Sequence, residues 1–399
     1  MNEKAATTHS TDDETRKRVE RAMEIIDESR ASFQRSGKIT STDWLRSVTP
    51  SDIVDKMRPY LTGQEEAAYA VAEYLTLWLS RYYAIKDGKA HRNDLPPYKA
   101  LTITGTTASG KSHLVRLACR TLGIDMIEVN GATLSSEGWK GQSICTYLNK
   151  VSRKQAKTPD TITLMFVDEV DKTCGGGYTK TYYRDSNPQN DLLSVLDNDG
   201  MHSFEFKDEV CSVDLDSVIW VFAGAFTGIG ERVVRPRLLR EAGDGAYGLL
   251  SDDTAARVLA MSEEELRSQV RFEDLVEEGL LTEFIGRCGC LVSMPTLTAE
   301  ELMQICNDSP HSVQQRYQLL MPSGVELVID DSAARNVAEE ALANSLGARH
   351  IESALIPCIA HARSIAMEAP RPARITITDN ANGTGLAVRC DQLSKREAM

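Results

Sequence analysis

The sequence lacks several features that would assign it to a common class of protein. No apolar run approaches the roughly 20 residues of a membrane-spanning helix. Residues 1–14 are polar and show no apolar core of a secretion signal. Basic residues are not in excess, because 45 Lys and Arg stand against 58 Asp and Glu, a net charge of −13. We therefore expect a cytoplasmic protein without a membrane partner and without dedicated nucleic-acid binding.

The cysteines do not form a regular pattern. Nine are scattered between Cys119 and Cys390, and an odd number without fixed spacing argues against a disulfide framework. Cys288 and Cys290 are the one close pair, and no second pair follows at the spacing of a zinc site. Reduced thiols, with these two packed in the interior, are the simplest interpretation.

Residues 101–112, LTITGTTASGKS, contain the clearest motif. The first four predict a buried strand, and the rest fit the phosphate-binding P-loop pattern G-x-x-x-x-G-K-[ST]. Glycines let backbone N–H groups turn toward one phosphate, and a helix that begins near Gly110 presents its positive end to the same anion. Lys111 reaches the β- and γ-phosphates, and the Ser112 hydroxyl binds Mg²⁺. The phosphate-binding residues we expect are Thr106, Thr107, Ala108, Ser109, Gly110, Lys111, Ser112 and His113.

Apolar segments at residues 126–129, 161–167 and 218–223 predict further buried strands. Because helical patterns separate them, we expect an α/β fold with a parallel sheet. From about residue 295 the pattern becomes mainly helical and predicts a smaller α+β domain. The expected organisation is a polar segment with an amphipathic helix at 1–48, a large P-loop domain at 49–293, a small domain at 294–380 and a C-terminal tail at 381–399, loose after Asp391.

Two carboxylates, Asp168 and Glu169, end the apolar segment 161–167, about sixty residues after the P-loop. Asp168 is placed to supply a second protein contact to Mg²⁺. Glu169 is placed to orient and deprotonate an attacking water. Since in-line attack on the γ-phosphate builds up negative charge, an arginine is expected to complete the site. The sequence thus predicts hydrolysis of a nucleoside triphosphate, with Mg²⁺ as cofactor.

A series of segments, in order over about 330 residues, resembles the AAA+ unfoldases of the Clp family, most closely ClpX and next HslU. The segments are TPS at 49–51, LTGQE at 61–65, the P-loop, DEVDK at 168–172, YRD at 183–185, AGAF at 223–226, LLTEFIGR at 280–287 and GAR at 347–349. This resemblance implies an AAA+ ATPase whose large P-loop domain precedes a small domain.

The resemblance also implies roles for residues outside the P-loop. Leu61, Gly63 and Gln64 would lie in the segment that packs on adenine. Arg287 would be the arginine that reaches the γ-phosphate of a neighbouring subunit, and Arg349 would reach the phosphates within its own chain. An arginine supplied by a neighbour requires a ring, which in this family is a homo-hexamer.

The loop GATLSSEGWKG at 131–141 lies where the family has its aromatic pore loop. By that likeness Gly138, Trp139, Lys140 and Gly141 would grip protein substrates, because a large flat side chain holds varied polypeptide without reading its sequence. Lys140 departs from the family pattern, which has an apolar residue there. The alternative interpretation is a tryptophan buried in a subunit interface.

Two further departures concern partners. No cysteine precedes Cys119, so the zinc module of ClpX is expected to be absent. The amphipathic helix predicted within 15–35 either docks on its own domain or serves adaptors and self-association. Tyr247, Gly248 and Leu249 either form a variant of the tripeptide with which ClpX docks a ClpP-like peptidase or make a plain turn.

These observations predict an ATP-dependent, ring-forming protein unfoldase or remodeller that threads polypeptide through a pore. If Tyr247-Gly248-Leu249 acts as a docking segment, the ring feeds a ClpP-like peptidase. The alternative is a nucleotide-gated scaffold, or a regulatory remodeller of one partner without a protease. A DNA motor is a third option, which the acidic charge and the aromatic loop disfavour.

Overall fold

The computed structural model describes residues 42–134, 143–174, 188–197, 200–243, 252–344, 346–380 and 385–393. The chain divides into two compact units. The first holds Arg46–Thr298 together with Ala343–Arg349. The second holds Ala299–Leu342 and the residues from His350 onward, and residues 42–45 group with it. The two are described separately below.

Helices and strands alternate through the first unit. Its helices, including the one that leads into it, are α1 (Thr42–Ser47), α2 (Pro50–Met57), α3 (Glu65–Lys86), α4 (Lys111–Leu122), α5 (Ile144–Lys157), α6 (Pro188–Leu196), α7 (Arg235–Gly243), α8 (Asp252–Ala260), α9 (Glu263–Arg267), α10 (Phe272–Glu277) and α11 (Thr282–Ile285). Its strands are β1 (Ala100–Thr104), β2 (Asp125–Asn130), β3 (Thr163–Asp168), β4 (Met201–Phe206), β5 (Glu209–Asp214), β6 (Val218–Gly224) and β7 (Cys288–Ser293).

Five of these strands form one sheet, in the order β2-β3-β6-β1-β7, and every pair is parallel. Strands β1 and β6 are buried along their whole length, as near-continuous apolar runs in a parallel sheet should be. The prediction of an α/β class with a parallel sheet is confirmed. In such a sheet the carboxyl ends of the strands lie along one edge, where ligands bind.

Local sequence sets the ends of the helices beside that edge. Thr49 caps α2 through a reciprocal pair of hydrogen bonds with Asp52, the capping box that a Thr-Pro start favours. Helix α4 follows Gly110 and ends at Gly123, both with positive φ, which glycine adopts without steric cost. The predicted helix starts at these two points are confirmed.

Three strands of the first unit, β4, β5 and β7, were not predicted. Strands β4 and β5 form an antiparallel hairpin whose turn, Lys207-Asp208, has positive φ at both residues. Strand β7 pairs with β1 at the edge of the sheet. Its six residues include Gly289 and two cysteines, so composition alone does not suggest a strand.

The second unit combines helices with a three-stranded sheet. The helices that belong to it, wholly or in large part, are α12 (Ala299–Met303), α13 (Val313–Gln318), α14 (Asp331–Ala343) and α15 (Ala348–Glu368). The strands are β8 (Val325–Ile329), β9 (Ala373–Asp379) and β10 (Leu386–Gln392), in the order β10-β9-β8. The predicted mainly helical α+β character is confirmed.

Residues 386–392, which the expected organisation placed in the C-terminal tail, are a regular strand. They form β10, which pairs antiparallel with β9 over seven residues. The apolar residues Leu386, Val388 and Cys390 alternate with other residues, as the two-residue period of a strand requires. The amphipathic helix predicted within 15–35 lies outside the described residues, and no described helix is both long and apolar enough to cross a membrane.

Candidate nucleotide-binding site

The P-loop joins the carboxyl end of β1 to the first turn of α4. Ala108 and Gly110 both have positive φ, 61° and 91°, so the backbone turns tightly here. A Cβ atom on Gly105 would lie 2.6 Å from Cβ of Met294 and 2.8 Å from Oγ of Ser109, which leaves room only for glycine. The Ser109 hydroxyl is buried and has no hydrogen-bond partner among the described residues.

Lys111 is the first residue of α4 and is 7% exposed. Its Nζ donates to the carbonyl oxygens of Gly105 and Thr106, both at 2.8 Å, so the ammonium lies inside the turn of the loop. Burial lowers its pKa from the ordinary 10.5 to about 8. The charges of Asp168 and Asp171 oppose this lowering, whereas two arginines discussed below add to it.

Residues that the resemblance assigns to adenine lie against the P-loop. Gln64 is buried, and its side-chain amide donates to the carbonyl of Ser109. A Cβ on Gly110 would collide with that amide, a second reason for glycine there. His113 places Nε2 3.2 Å from the carbonyl oxygen of Tyr60, the residue before Leu61. Gly63, with φ 68°, lies in the bend of the chain between Leu61 and Gln64.

The two residues predicted to hold Mg²⁺ are in direct contact. The Ser112 hydroxyl donates to Oδ2 of Asp168 at 2.6 Å, and Oδ1 of the same carboxylate accepts from the Glu169 N–H at 2.9 Å. A hydroxyl and a carboxylate side by side are the oxygen donors that Mg²⁺ prefers. With Lys111 and the tight loop beside them, the residues present fit a magnesium–nucleotide complex.

Glu169 has φ 58°, a conformation that costs a non-glycine residue energy and is concentrated at functional sites. The backbone of Glu169 passes close to Gly131, the residue directly after β2. A Cβ on Gly131 would lie 2.6 Å from the carbonyl oxygen of Glu169 and 2.9 Å from that of Asp168. The sequence analysis assigned no role to Gly131, although a glycine at the end of a strand is a signal for close packing.

The segment Gly347-Ala348-Arg349 belongs to the first unit, with the P-loop. A Cβ on Gly347 would lie 3.3 Å from Cβ of Ala108, so the segment packs against the loop. The positive charge of Arg349 contributes to the low pKa of Lys111. The structure therefore brings Arg349 to the phosphate side of the site.

Arg287 lies elsewhere. It directly precedes β7, and its carbonyl accepts from the N–H of Ala100, the first residue of β1, at 2.8 Å. Its guanidinium pairs with Asp197. Since the P-loop follows the other end of β1, five residues of strand, roughly 15 Å, separate the two. Arg287 is thus at the amino edge of the sheet, away from the P-loop of its own chain.

Arg267 is a charged residue beside the site that lies in none of the predicted motifs. It is 5% exposed, and its Nη2 donates to the carbonyl oxygens of Ala225 and Phe226 at 3.0 and 2.9 Å. Its charge, like that of Arg349, lowers the pKa of Lys111. No motif contains Arg267, and only its burial identifies it.

Two predicted segments lie outside the described residues. They are the pore loop Gly138, Trp139, Lys140 and Gly141, and the peptidase-docking segment Tyr247, Gly248 and Leu249. Their roles remain predictions.

Comparison with known proteins agrees with this geometry. Residues 101–228 match the family model for the ATPase family associated with various cellular activities (AAA). The chain is 26% identical over 326 residues to ATP-dependent Clp protease ATP-binding subunit ClpX 2 of Wolinella succinogenes, covering 78% of this chain and 77% of the relative. It is 24% identical to ClpX of Borrelia duttonii, covering 77% and 72%, and 28% identical to ClpX of Azotobacter vinelandii, covering 64% and 59%.

The sheet, the P-loop and the paired carboxylates therefore agree with an AAA-type ATPase domain over residues 101–228, and the chain is an enzyme that hydrolyses ATP. Along much of its length the chain is similar to ClpX proteins, at 24–28% identity.

Proposed function

We propose that this chain is the subunit of an ATP-driven ring that unfolds or remodels protein substrates. The observation that supports the ring is the position of Arg287 at the end of β1 opposite to the P-loop. An arginine placed there serves the site of a neighbouring subunit rather than its own. Head-to-tail contacts between identical subunits close into rings, and likeness to ClpX favours a homo-hexamer.

The residues of one site divide the reaction between them. The P-loop backbone and Lys111 hold the phosphates, and Ser112 and Asp168 hold Mg²⁺, which when bound neutralises phosphate charge. Glu169 orients the attacking water and takes its proton, since its backbone N–H is fixed on Asp168. Arg349 from the same chain and Arg287 from the next chain stabilise the charge that develops.

Complementation between two inactive variants tests this division. Glu169→Gln removes the base but keeps Arg287, and Arg287→Ala removes the arginine but keeps the base. Each alone is expected to bind ATP and to hydrolyse it at least about a hundredfold more slowly. Mixed in equal amounts in one ring, they would regenerate about a quarter of the sites, because a quarter of neighbour pairs combine the two intact residues. A mixture as inactive as its parts would contradict the proposal.

Threading through the pore is the second part of the proposal, and Trp139 is the residue to test. The Glu169→Gln variant, with ATP, first captures the substrate proteins. The Trp139→Ala variant is then expected to hydrolyse ATP as the wild type does, but no longer to unfold these proteins. Leu77→Ala, at an exposed position outside this loop, is the control and should leave both activities unchanged. If Trp139→Ala leaves the action on the captured protein unchanged, the chain is a scaffold that holds one partner.

The relatives' names describe a subunit of a protease. We propose Tyr247-Gly248-Leu249 as the segment that would dock a ClpP-like peptidase in the cytoplasm. Leu249→Ala should remove a co-purifying peptidase and leave captured substrates in place. If no peptidase co-purifies with the wild-type chain, the remodeller without a protease is the correct form of the proposal.

A further inference from the structure

Arg267 is a buried charge that the reaction described above does not use. It ends α9 and is 5% exposed. Burial lowers the pKa of its guanidinium, a sign that the charged form is poorly solvated. Placing a charge in the interior costs several kcal/mol unless hydrogen bonds and an opposite charge compensate for it. Its partners therefore indicate what the charge is for.

The guanidinium is only partly compensated. Its Nε donates to Glu263 Oε1 at 3.1 Å, but that carboxylate also accepts from the backbone N–H groups of Gly230 and Glu231. Nη2 donates to the carbonyl oxygens of Ala225 and Phe226. Nη1 has no acceptor among the described residues and is not one of the buried polar atoms without a partner, so solvent reaches it. One edge of the guanidinium thus faces away from its protein partners, and its charge is free to act on a nearby anion.

Topology places this charge beside the phosphates. Ala225 and Phe226 directly follow β6, the strand between β1, which leads into the P-loop, and β3, which ends at Asp168. The carbonyl of Arg267 also accepts from Ser293 Oγ at 3.1 Å, at the carboxyl end of β7. Arg267 therefore joins the two strands that flank β1, at the edge where the γ-phosphate would lie.

The segment that Arg267 holds is also tied to the catalytic carboxylates. The Ala225 N–H donates to Asp171 Oδ1 at 3.2 Å, three residues beyond Asp168. Phe226 has φ 41°, so its backbone is strained and needs outside support. The last residues of β6, Ala223 and Gly224, have no polar side chain of their own. Arg267, through its hydrogen bonds to Ala225 and Phe226, brings a positive charge to this end of β6.

We propose that Arg267 is a positioning residue that makes the site prefer ATP to ADP, through its positive charge at the end of β6. ATP carries more negative charge than ADP, and the additional charge lies at the γ-phosphate. A unit charge acting over roughly 10 Å at the effective dielectric constant of a protein changes affinity about tenfold. The proposal depends on ATP binding and not on ring formation.

The experiment measures the ratio of the dissociation constants for ADP and a slowly hydrolysed ATP analogue, both with Mg²⁺, on the full chain. Arg267→Gln keeps an amide donor and removes the charge, and should lower this ratio about tenfold. Glu263→Gln removes the opposing charge from a side chain that is 36% exposed, and should raise the ratio several-fold. Loss of packing alone would not lower the ratio in Arg267→Gln and raise it in Glu263→Gln.

Arg237→Gln is the matched control. Arg237 is also largely buried and donates to a carboxylate, Asp274, and to the carbonyl of Gln269, but its charge is not among those that act on Lys111. It should lower the melting temperature and leave the ratio unchanged. If Arg267→Gln does not fold, the ratio measured for Glu263→Gln alone tests the proposal. An unchanged ratio in either folded variant, with ATP still bound, would overturn the inference.

Discussion

Replacing Lys111 by methionine should make the nucleotide-free protein more stable while abolishing nucleotide binding. Lys111 is 7% exposed, and burial lowers its pKa from 10.5 to about 8. Each pKa unit corresponds to about 1.4 kcal/mol, so at neutral pH the folded chain holds the charged ammonium at a cost of about 3 kcal/mol. Methionine has a similar length and no charge, and it removes this cost.

The gain is reduced by what methionine cannot do. The carbonyl oxygens of Gly105 and Thr106 lose their donor, which costs about 1 kcal/mol. The net expectation is therefore a free energy of unfolding about 2 kcal/mol higher for Lys111→Met at pH 7. For a unit of this size that corresponds to a rise in melting temperature of about 5 °C.

The pH dependence identifies the cause. Because the folded-state pKa is lower than the unfolded-state pKa, the unfolded chain binds more protons between about pH 8 and 10.5. Wild-type stability therefore rises through this window relative to the variant. The advantage of Lys111→Met, about 2 kcal/mol, should be full below pH 8 and become a deficit of about 1 kcal/mol as the pH approaches 10.5, a change of about 3 kcal/mol.

Urea unfolding at several pH values, without nucleotide, measures both effects, with Lys157→Met as the control because Lys157 is exposed. The control should change stability by less than about 0.5 kcal/mol at every pH. A Lys111→Met protein less stable than the wild type at pH 7, by an amount that does not vary with pH, would refute the reasoning.

Three other expectations follow from the same contacts. Ser112→Ala should weaken ATP binding about tenfold in Mg²⁺ and have little effect in its absence, measured by calorimetry; equal weakening in both would contradict a metal role. Gly131→Ala should cost about 1–3 kcal/mol in urea unfolding, because its Cβ would lie 2.6 Å from the Glu169 carbonyl oxygen; a neutral result would mean that the loop yields freely. Phe166→Ala, at a fully buried position of β3, should cost about 3–5 kcal/mol, whereas Leu77→Ala at an exposed position should be nearly neutral in the same assay.

Much of the fold and of the phosphate site was predictable from local sequence. The P-loop is a contiguous pattern whose glycines, lysine and serine are fixed by the shape of one phosphate. Strands β3 and β6 are nearly continuous apolar runs, which is what burial on both faces demands. Strand β7 escaped prediction because an edge strand of six residues with a glycine has no such run.

Contacts between distant segments needed the tertiary structure. A motif assigns Arg287 to catalysis, but only the parallel pairing of β7 with β1 shows at which edge of the sheet it lies. Gly131 is an ordinary glycine until the backbone of Glu169 approaches it.

The sequence by itself determined that this protein binds a nucleotide, because the groups that hold one phosphate lie within eight successive residues. Only the tertiary structure decided which charges surround that phosphate. Arg267 comes from a helix more than 150 residues further along the chain than Lys111, and it reaches the site because β6 lies between β1 and β3. Electrostatic interactions act through space, and spacing along the chain does not record them.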